Sequence, residues 1–125
     1  MKKHLKQTVY IFLVALIVCA VSCSNNVKSM SQPEISYALY RELQKNIVYE
    51  VNSSSQYQRT AAGALLDGKG VCEDYSLSYK KLMNGAGIQT VCVEGKDRTV
   101  YTEPTVAHMW NRINLNGQWY NANAT

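Results

Sequence analysis

The residues best suited to chemistry lie where a glycine-rich turn runs into a predicted helix, in the stretch Gly68-Lys69-Gly70-Val71-Cys72-Glu73-Asp74-Tyr75. The first N–H groups of a helix have no intrahelical partner, and the helix dipole places partial positive charge there. A thiolate at such a position is favoured over a thiol, so Cys72 is a candidate nucleophile. The alternative is that Cys72 is a small apolar residue packed at a helix start.

A histidine and an asparagine form the second part of the predicted site. Residues 107–115 and 118–122 predict two strands, and Asn116-Gly117 between them is typical of a type I′ hairpin turn. If the hairpin pairing continues to the end of the chain, His108 and Asn123 lie on one face of the sheet as diagonal neighbours. Taken alone, His108 would be an ordinary strand histidine and Asn123 an ordinary loop residue.

Cysteine, histidine and asparagine together can perform nucleophilic catalysis. The imidazole takes the thiol proton, and the amide carbonyl of Asn123 accepts a hydrogen bond from the other ring nitrogen and orients the ring. The N–H of Cys72 would then face a developing oxyanion. A zinc site with Cys72, Cys92 and His108 as ligands is the competing arrangement, but no Cys-x-x-Cys or His-x-x-x-His pair supports it. We therefore expect neither a metal nor a cofactor.

The elements that must position these residues are helices followed by strands. Ser31 and Glu34 fit a capping box, with Pro33 in the first turn and apolar residues at spacings of three and four from Ile35 to Ile47. Two further helices are predicted, a short one over Tyr57 to Leu66 and a longer one over about Val71 to Asn84 that ends at Gly85 or Gly87.

The pattern changes to alternation after Gly87. It predicts a strand from Gln89 to Glu94, a turn over Gly95 to Arg98, a weaker strand from Thr99 to Thr102, and then the hairpin. Helices first and strands second indicate an α+β fold with N-terminal helices packed on an antiparallel sheet. The chain ends directly after the last strand, where a larger sheet is expected to continue, so we expect a truncated product or a fragment.

The first 22 residues are typical of a signal peptide, with Lys2, Lys3 and Lys6 before the apolar run Val9 to Val21. That run is short for a membrane span. The run leads into Ala20-Val21-Ser22-Cys23, which resembles a bacterial lipobox. In a lipobox the cysteine, here Cys23, is lipidated and becomes the mature N-terminus. Ordinary signal cleavage and an uncleaved anchor are the alternatives. We expect an exported, membrane-anchored lipoprotein with a tether over residues 23–32 and one domain over residues 33–125.

Charge and cysteine content narrow the function further. The formal charge is +4, and removing the three leader lysines leaves ten basic and nine acidic residues, a mature charge of about +1 without a basic run. Nucleic-acid binding is therefore not expected. Only Cys72 and Cys92 belong to the globular part, where they either form one disulfide, which would silence Cys72, or stay separate.

Three segments resemble motifs of the transglutaminase-like (transglutaminase/protease-like) superfamily of cysteine enzymes, in its bacterial extracytoplasmic form. Ala62 to Tyr75 is close to the nucleophile motif of the family. His108-Met109-Trp110-Asn111 is similar to its His-Ala-Trp-Asn. Asn116 to Thr125 resembles its Asp-Gly-Lys-Trp-Tyr followed by Val-Asp-Pro-Thr. The resemblance runs from about Tyr37 to the end of the chain.

The resemblance implies a papain/transglutaminase-like core with Cys72 as nucleophile, His108 as base and Asn123 as orienting residue. It implies a thiol enzyme that acts on peptide or protein amides through a Cys72 thioester, as a protease, amidase or transglutaminase. The family usually has Asp where this chain has Asn123, and an amide stabilises a cationic imidazole less than a carboxylate does.

Two alternatives therefore stand beside the enzyme. One is a catalytically inactive transglutaminase-like binding module on the cell surface. The other is a structural lipoprotein with a Cys72–Cys92 bridge. The oligomeric state is not predicted.

Overall fold

The computed structural model describes residues 30–52, 56–96 and 107–125. The helices and strands are α1 (Gln32–Asn46), β1 (Val48–Tyr49), a π-helical segment (Gly63–Asp67), β2 (Lys69–Gly70), α2 (Cys72–Gly85), β3 (Thr90–Lys96), β4 (Ala107–Leu115) and β5 (Gln118–Ala122). The fold is α+β, as the order of helices and strands predicts. The predicted signal peptide, the lipidation site Cys23 and the weak strand over Thr99 to Thr102 lie outside the described residues.

Helix α1 begins at the predicted capping box. The Ser31 backbone N–H donates to the Glu34 carboxylate at 2.7 Å, and the Glu34 N–H donates back to the Ser31 hydroxyl at 3.4 Å. The buried side chains Ile35, Leu39 and Leu43 recur every fourth residue. One face of α1 therefore points into the core, as the spacing predicts.

Helix α2 runs through the middle of the fold and ends in a Schellman motif. The Ile88 N–H donates to the Met83 carbonyl at 2.9 Å, and the Gly87 N–H donates to the Asn84 carbonyl at 3.0 Å. Gly87 has a φ of +79°, so it supplies the predicted left-handed stop. Met83 and Ile88 are both buried, which is the apolar contact that accompanies this motif.

The predicted second helix over Tyr57 to Leu66 is wrong at its N-terminal end. Helical backbone begins only at Ala61 and continues as the π-helical segment. Arg59 has a φ of +60°, which interrupts a right-handed helix, and the Thr60 N–H donates to the side chain of Asp74 at 2.9 Å instead of to a helical carbonyl. A contact with a residue distant in sequence therefore overrides the local helical pattern.

The three-stranded sheet has the order β3-β4-β5 and is antiparallel throughout. Asn116 and Gly117 have φ values of +54° and +89°, as a type I′ turn requires, so the predicted hairpin is confirmed. The predicted turn at Gly95 is wrong, because Gly95 and Lys96 continue β3 and pair with His108 and Ala107.

Strands β1 and β2 form a separate two-stranded parallel sheet that the sequence does not predict. The Val48 N–H donates to the Gly68 carbonyl at 2.9 Å, and the Glu50 N–H donates to the Gly70 carbonyl at 3.0 Å. Two-residue strands carry too little alternation to be recognised in a sequence. Their pairing fixes the residues that lead into α2.

Helix α2 packs against α1 on one side and against β3 and β4 on the other. The core consists of buried side chains from α1, α2, β4 and the segments that adjoin them: Ile35, Leu39, Leu43, Ile47, Ala64, Tyr75, Tyr79, Met83, Ile88, Ile113 and Ala124. Tyr79 joins the two helices, since its hydroxyl donates to the Ser36 carbonyl of α1 at 2.9 Å.

Replacing Tyr79 by phenylalanine should destabilise the domain without changing its apolar packing. The variant loses one buried hydrogen bond between α1 and α2, which is worth about 1 kcal/mol of unfolding free energy. Urea unfolding measures the difference. Tyr37→Phe is the matched control, because Tyr37 is 65% exposed on α1. Equal unfolding midpoints for the two variants would contradict the assignment.

Candidate active site

Cys72 is the first residue of α2, and Val71 is the N-cap. Its thiol is free and partly exposed. Cys72 lines an open cavity of about 400 Å³ together with residues of β1, β3 and β4. The predicted position of Cys72 at a helix N-terminus, accessible from solvent, is therefore observed.

The buried carboxylate of Asp74 holds the turn before Cys72 in place. Asp74 is fully buried; one carboxylate oxygen accepts the Val71 N–H at 2.9 Å and the other accepts the Thr60 N–H at 2.9 Å. A Cβ atom at Gly70 would overlap the Asp74 side chain. The glycine thus makes room for the carboxylate, and the carboxylate ties the start of α2 to the segment before the π-helical turn.

His108 lies on β4 and lines the same cavity as Cys72. Its ring stacks on Trp110, with ring centroids 6.0 Å apart and an interplanar angle of 23°. Trp110 in turn lies over Gly95, where a Cβ atom would be 2.6 Å from the indole. The Nε2 atom of His108 is buried and has no hydrogen-bond partner among the described residues.

Asn123 is not among the residues that line this cavity. It is exposed just beyond the end of β5, and its Oδ1 accepts the Thr125 N–H at 3.3 Å. The pairing of β4 with β5 ends at Asn111 and Ala122, so the register that would place Asn123 diagonal to His108 does not continue that far. Among the described residues that line the cavity, Cys72 and His108 are present and Asn123 is not.

Sequence reasoning missed several residues at the cavity. Arg59 and Glu73 form an ion pair there, with Nη1 and Oε2 3.6 Å apart, and Glu94 of β3 adds a second carboxylate. Tyr49 and Val51 contribute apolar surface. The sequence carries no signal for these roles, because the positive φ of Arg59 and the β1–β2 pairing arise only from contacts between distant segments.

The second thiol of the described chain serves the packing between α2 and the sheet. The Cys92 thiol donates to the Ser76 carbonyl at 3.5 Å, and the Asn111 amide nitrogen lies 3.6 Å from its sulfur. Burial raises the pKa of the Cys92 thiol. Cys72 and Cys92 are both free, so the bridge that would silence Cys72 is not formed.

Metal-ligating groups and membrane-spanning helices can be described for residues 30–52, 56–96 and 107–125. In these ranges no group of three histidine, cysteine or acidic side chains is arranged to hold a metal ion. None of the helices described there is both long enough and apolar enough to cross a membrane.

The sequence matches the family model of the transglutaminase-like superfamily over residues 20–124. This chain belongs to that superfamily, which confirms the resemblance drawn from the three motifs. No curated protein matches the sequence significantly.

Solved structures share the fold at low sequence identity. A "Putative Cysteine Protease" from Cytophaga hutchinsonii has a TM-score of 0.68 and 17% identity over 93% of this chain and 37% of its own. A structure described as a TGase has a TM-score of 0.68 and 16% identity over 94% of this chain and 32% of its own. The periplasmic domain of TgpA from Pseudomonas aeruginosa, bound to ethylmercury, has a TM-score of 0.61 and 18% identity over 95% of this chain and 44% of its own.

These likenesses confirm the α+β fold and its transglutaminase-like core. The chain spans between 32% and 44% of the length of the three solved structures, so it corresponds to less than half of each.

Asp74→Asn should destabilise the domain far more than a neighbouring charge change does. An amide has one oxygen where Asp74 uses two, so one backbone N–H faces an NH₂ group, at a cost of about 1–3 kcal/mol. Urea unfolding measures this cost. Glu73→Gln is the matched control: it also removes one carboxylate, but its partner Arg59 is 72% exposed and such pairs contribute about 0–1 kcal/mol. Equal losses of unfolding free energy in the two variants would contradict the role assigned to Asp74.

Proposed function

We propose that this chain is a cysteine-dependent enzyme that acts on peptide or protein amides, with Cys72 as nucleophile and His108 as base. One observation carries the proposal: in a member of the transglutaminase-like superfamily, a free cysteine at the start of a helix and a strand histidine line the same cavity.

The proposed reaction has two steps. In the first, His108 takes the proton of the Cys72 thiol and the thiolate attacks the amide carbonyl carbon. The C–N bond breaks, the leaving amine takes the proton from His108, and the acyl group remains as a thioester on Cys72. In the second step, water or an amine attacks the thioester carbonyl carbon and gives its proton to His108. The C–S bond breaks, the acyl product leaves, and His108 returns the proton to the Cys72 sulfur. Water gives hydrolysis, and an amine gives acyl transfer.

The start of α2 supports the charges that form in this reaction. The helix dipole at the start of α2 favours the negative charge that the Cys72 sulfur carries when it attacks. The Val71 N–H is taken by Asp74, and we propose that the next N–H, that of Cys72, stabilises the oxyanion.

Asn123 is the proposed orienting residue, and it must change its partner to act. The 3.3 Å contact of its Oδ1 with the Thr125 N–H is long for a hydrogen bond, and the buried His108 Nε2 has no partner in the part of the chain that the structure describes. We propose that the Asn123 side chain gives up the first contact and accepts from Nε2 when substrate is bound. This step places the imidazole for proton transfer.

The second candidate is an inactive transglutaminase-like binding module. The observation that favours it is the exposed position of Asn123 outside the cavity, combined with an amide where the family usually has a carboxylate. On this reading the cavity binds a peptide without turning it over.

We also propose that the protein works outside the cytoplasm, attached to a membrane through lipidated Cys23 after cleavage of residues 1–22. The basic and apolar leader and the lipobox-like sequence support export. The structural likeness to a periplasmic domain is consistent with it.

The pH dependence of Cys72 alkylation tests whether the cysteine and the histidine act together. Iodoacetamide should modify Cys72 in the folded full-length chain faster than it modifies free glutathione, over the pH range in which the imidazole of His108 can take the thiol proton. His108→Ala should remove this advantage. Mass spectrometry of the digested protein reads each cysteine separately.

Cys92 is the internal control in the same sample, because burial raises its pKa and it should react slowly and independently of His108. An unchanged Cys72 profile in the His108→Ala variant would refute the ion pair.

Amide turnover separates the enzyme from the binding module. We expect that release of amine from a peptide library is abolished by Cys72→Ala. Asn123→Asp should raise the rate by at least about ten-fold, because a carboxylate stabilises the imidazolium form. Turnover that survives Cys72→Ala would exclude the proposed nucleophile. If neither the parent chain nor Asn123→Asp releases amine, the binding module is the correct interpretation.

A further inference from the structure

Two exposed apolar side chains lie at the cavity that contains Cys72. Tyr49 is 50% exposed and Val51 is 64% exposed, and both line this cavity. Val71 and Met109 are also among its lining residues. These four side chains give the cavity an apolar lining, here called the apolar wall and defined by Tyr49, Val51, Val71 and Met109.

Strand β1, which carries Tyr49 of the apolar wall, is held in place by the same short segment that precedes the nucleophile. Strand β1 is hydrogen-bonded to Gly68 and Gly70, and Glu50 forms an ion pair with Lys69 at 2.7 Å. The Tyr49 ring lies 6.4 Å from the ring of Tyr75, centroid to centroid. Tyr75 is buried and its hydroxyl donates to the Ile47 carbonyl at 2.6 Å. A pocket wall fixed in this way binds a side chain without first having to be ordered.

The remaining lining groups are mostly polar, namely Arg59, Cys72, Glu73, Glu94 and His108. A concave site with apolar surface and a few polar groups is typical of sites that bind a small ligand or one side chain, and the cavity volume of about 400 Å³ is in the usual range. The polar groups suit the amide that reacts, and the apolar wall suits a side chain next to it.

We propose that Tyr49 and Val51 are specificity-determining residues, and that they select substrates with an aromatic or large aliphatic side chain next to the amide carbonyl attacked by Cys72. This inference rests on the proposed function in one respect, that Cys72 is the reacting group. It adds the substrate class, which neither the motifs nor the family assignment supplies.

The test compares two reagents at one thiol, so it needs no turnover. Second-order rate constants for Cys72 are measured with chloroacetamide and with N-benzyl chloroacetamide in the folded full-length chain, again by mass spectrometry of each cysteine. The preference is the rate constant for N-benzyl chloroacetamide divided by that for chloroacetamide. In the parent chain, this ratio should be higher for Cys72 than for the thiol of free glutathione. Tyr49→Ala should reduce the preference by about five-fold to ten-fold, the effect of losing roughly 50 Å² of apolar contact.

Three variants make the result specific. Tyr49→Phe should keep the preference, because the ring remains. Val51→Ser should reduce it by about two-fold to three-fold, and it provides a second measurement if Tyr49→Ala does not fold. Tyr37→Ala is the matched control, since Tyr37 is an exposed tyrosine of α1 that does not line the cavity.

The inference is overturned if the parent chain shows no more benzyl preference than glutathione, or if the preference survives both Tyr49→Ala and Val51→Ser. A different result would contradict the proposed function: Cys72 would react with chloroacetamide no faster than free glutathione does, and His108→Ala would not change its rate constant. The ratio of the two rate constants therefore tests the substrate preference, and the rate constant with chloroacetamide alone tests the proposed function.

Discussion

The two hydrogen bonds of the Asp74 carboxylate are the constraint on which the geometry of the site depends. A fully buried carboxylate is costly unless its oxygens are paired, and here each oxygen accepts a backbone N–H from a different segment. One bond fixes the residue before Cys72 and the other fixes Thr60, next to the cavity residue Arg59. The same carboxylate therefore sets the start of α2 and one side of the cavity, and it requires glycine at position 70.

The sheet supplies the second half of the site through packing that is independent of Asp74. Helix α2 lies on β3 and β4, and the N-terminal end of the helix is close to the first residues of β4, where His108 lies. Trp110 stacks on the His108 ring and occupies the space that Gly95 leaves open. Two glycines, Gly70 and Gly95, thus admit the side chains that position the nucleophile and the histidine. In each case the absence of a Cβ atom is what allows the approach.

Local signals in the sequence predicted the elements whose hydrogen bonds are local. The capping box of Ser31 with Glu34, the stop at Gly87 and the Asn116-Gly117 hairpin were all predicted, since each depends on a few neighbouring residues. The β1–β2 pairing and the break before Ala61 were not predicted, because they result from contacts across 14 to 20 residues of chain. In the site, residue types identified Cys72 and His108. The position of Asn123 depended on a strand register extended past the last paired residues, where the pairing in fact ends.

The unpaired Nε2 of His108 is the feature that bears most directly on the two candidate functions. Buried polar atoms in folded proteins nearly always have a partner, and leaving one without costs about 1–3 kcal/mol. In the proposed enzyme, an acceptor reaches Nε2 in another state of the site and offsets this cost. In the binding module, the histidine has only a packing role and the cost is not offset. In the structure the Asn123 Oδ1 accepts the Thr125 N–H and the next residue, Ala124, is buried in the core, so the proposed change of partner is confined to the Asn123 side chain.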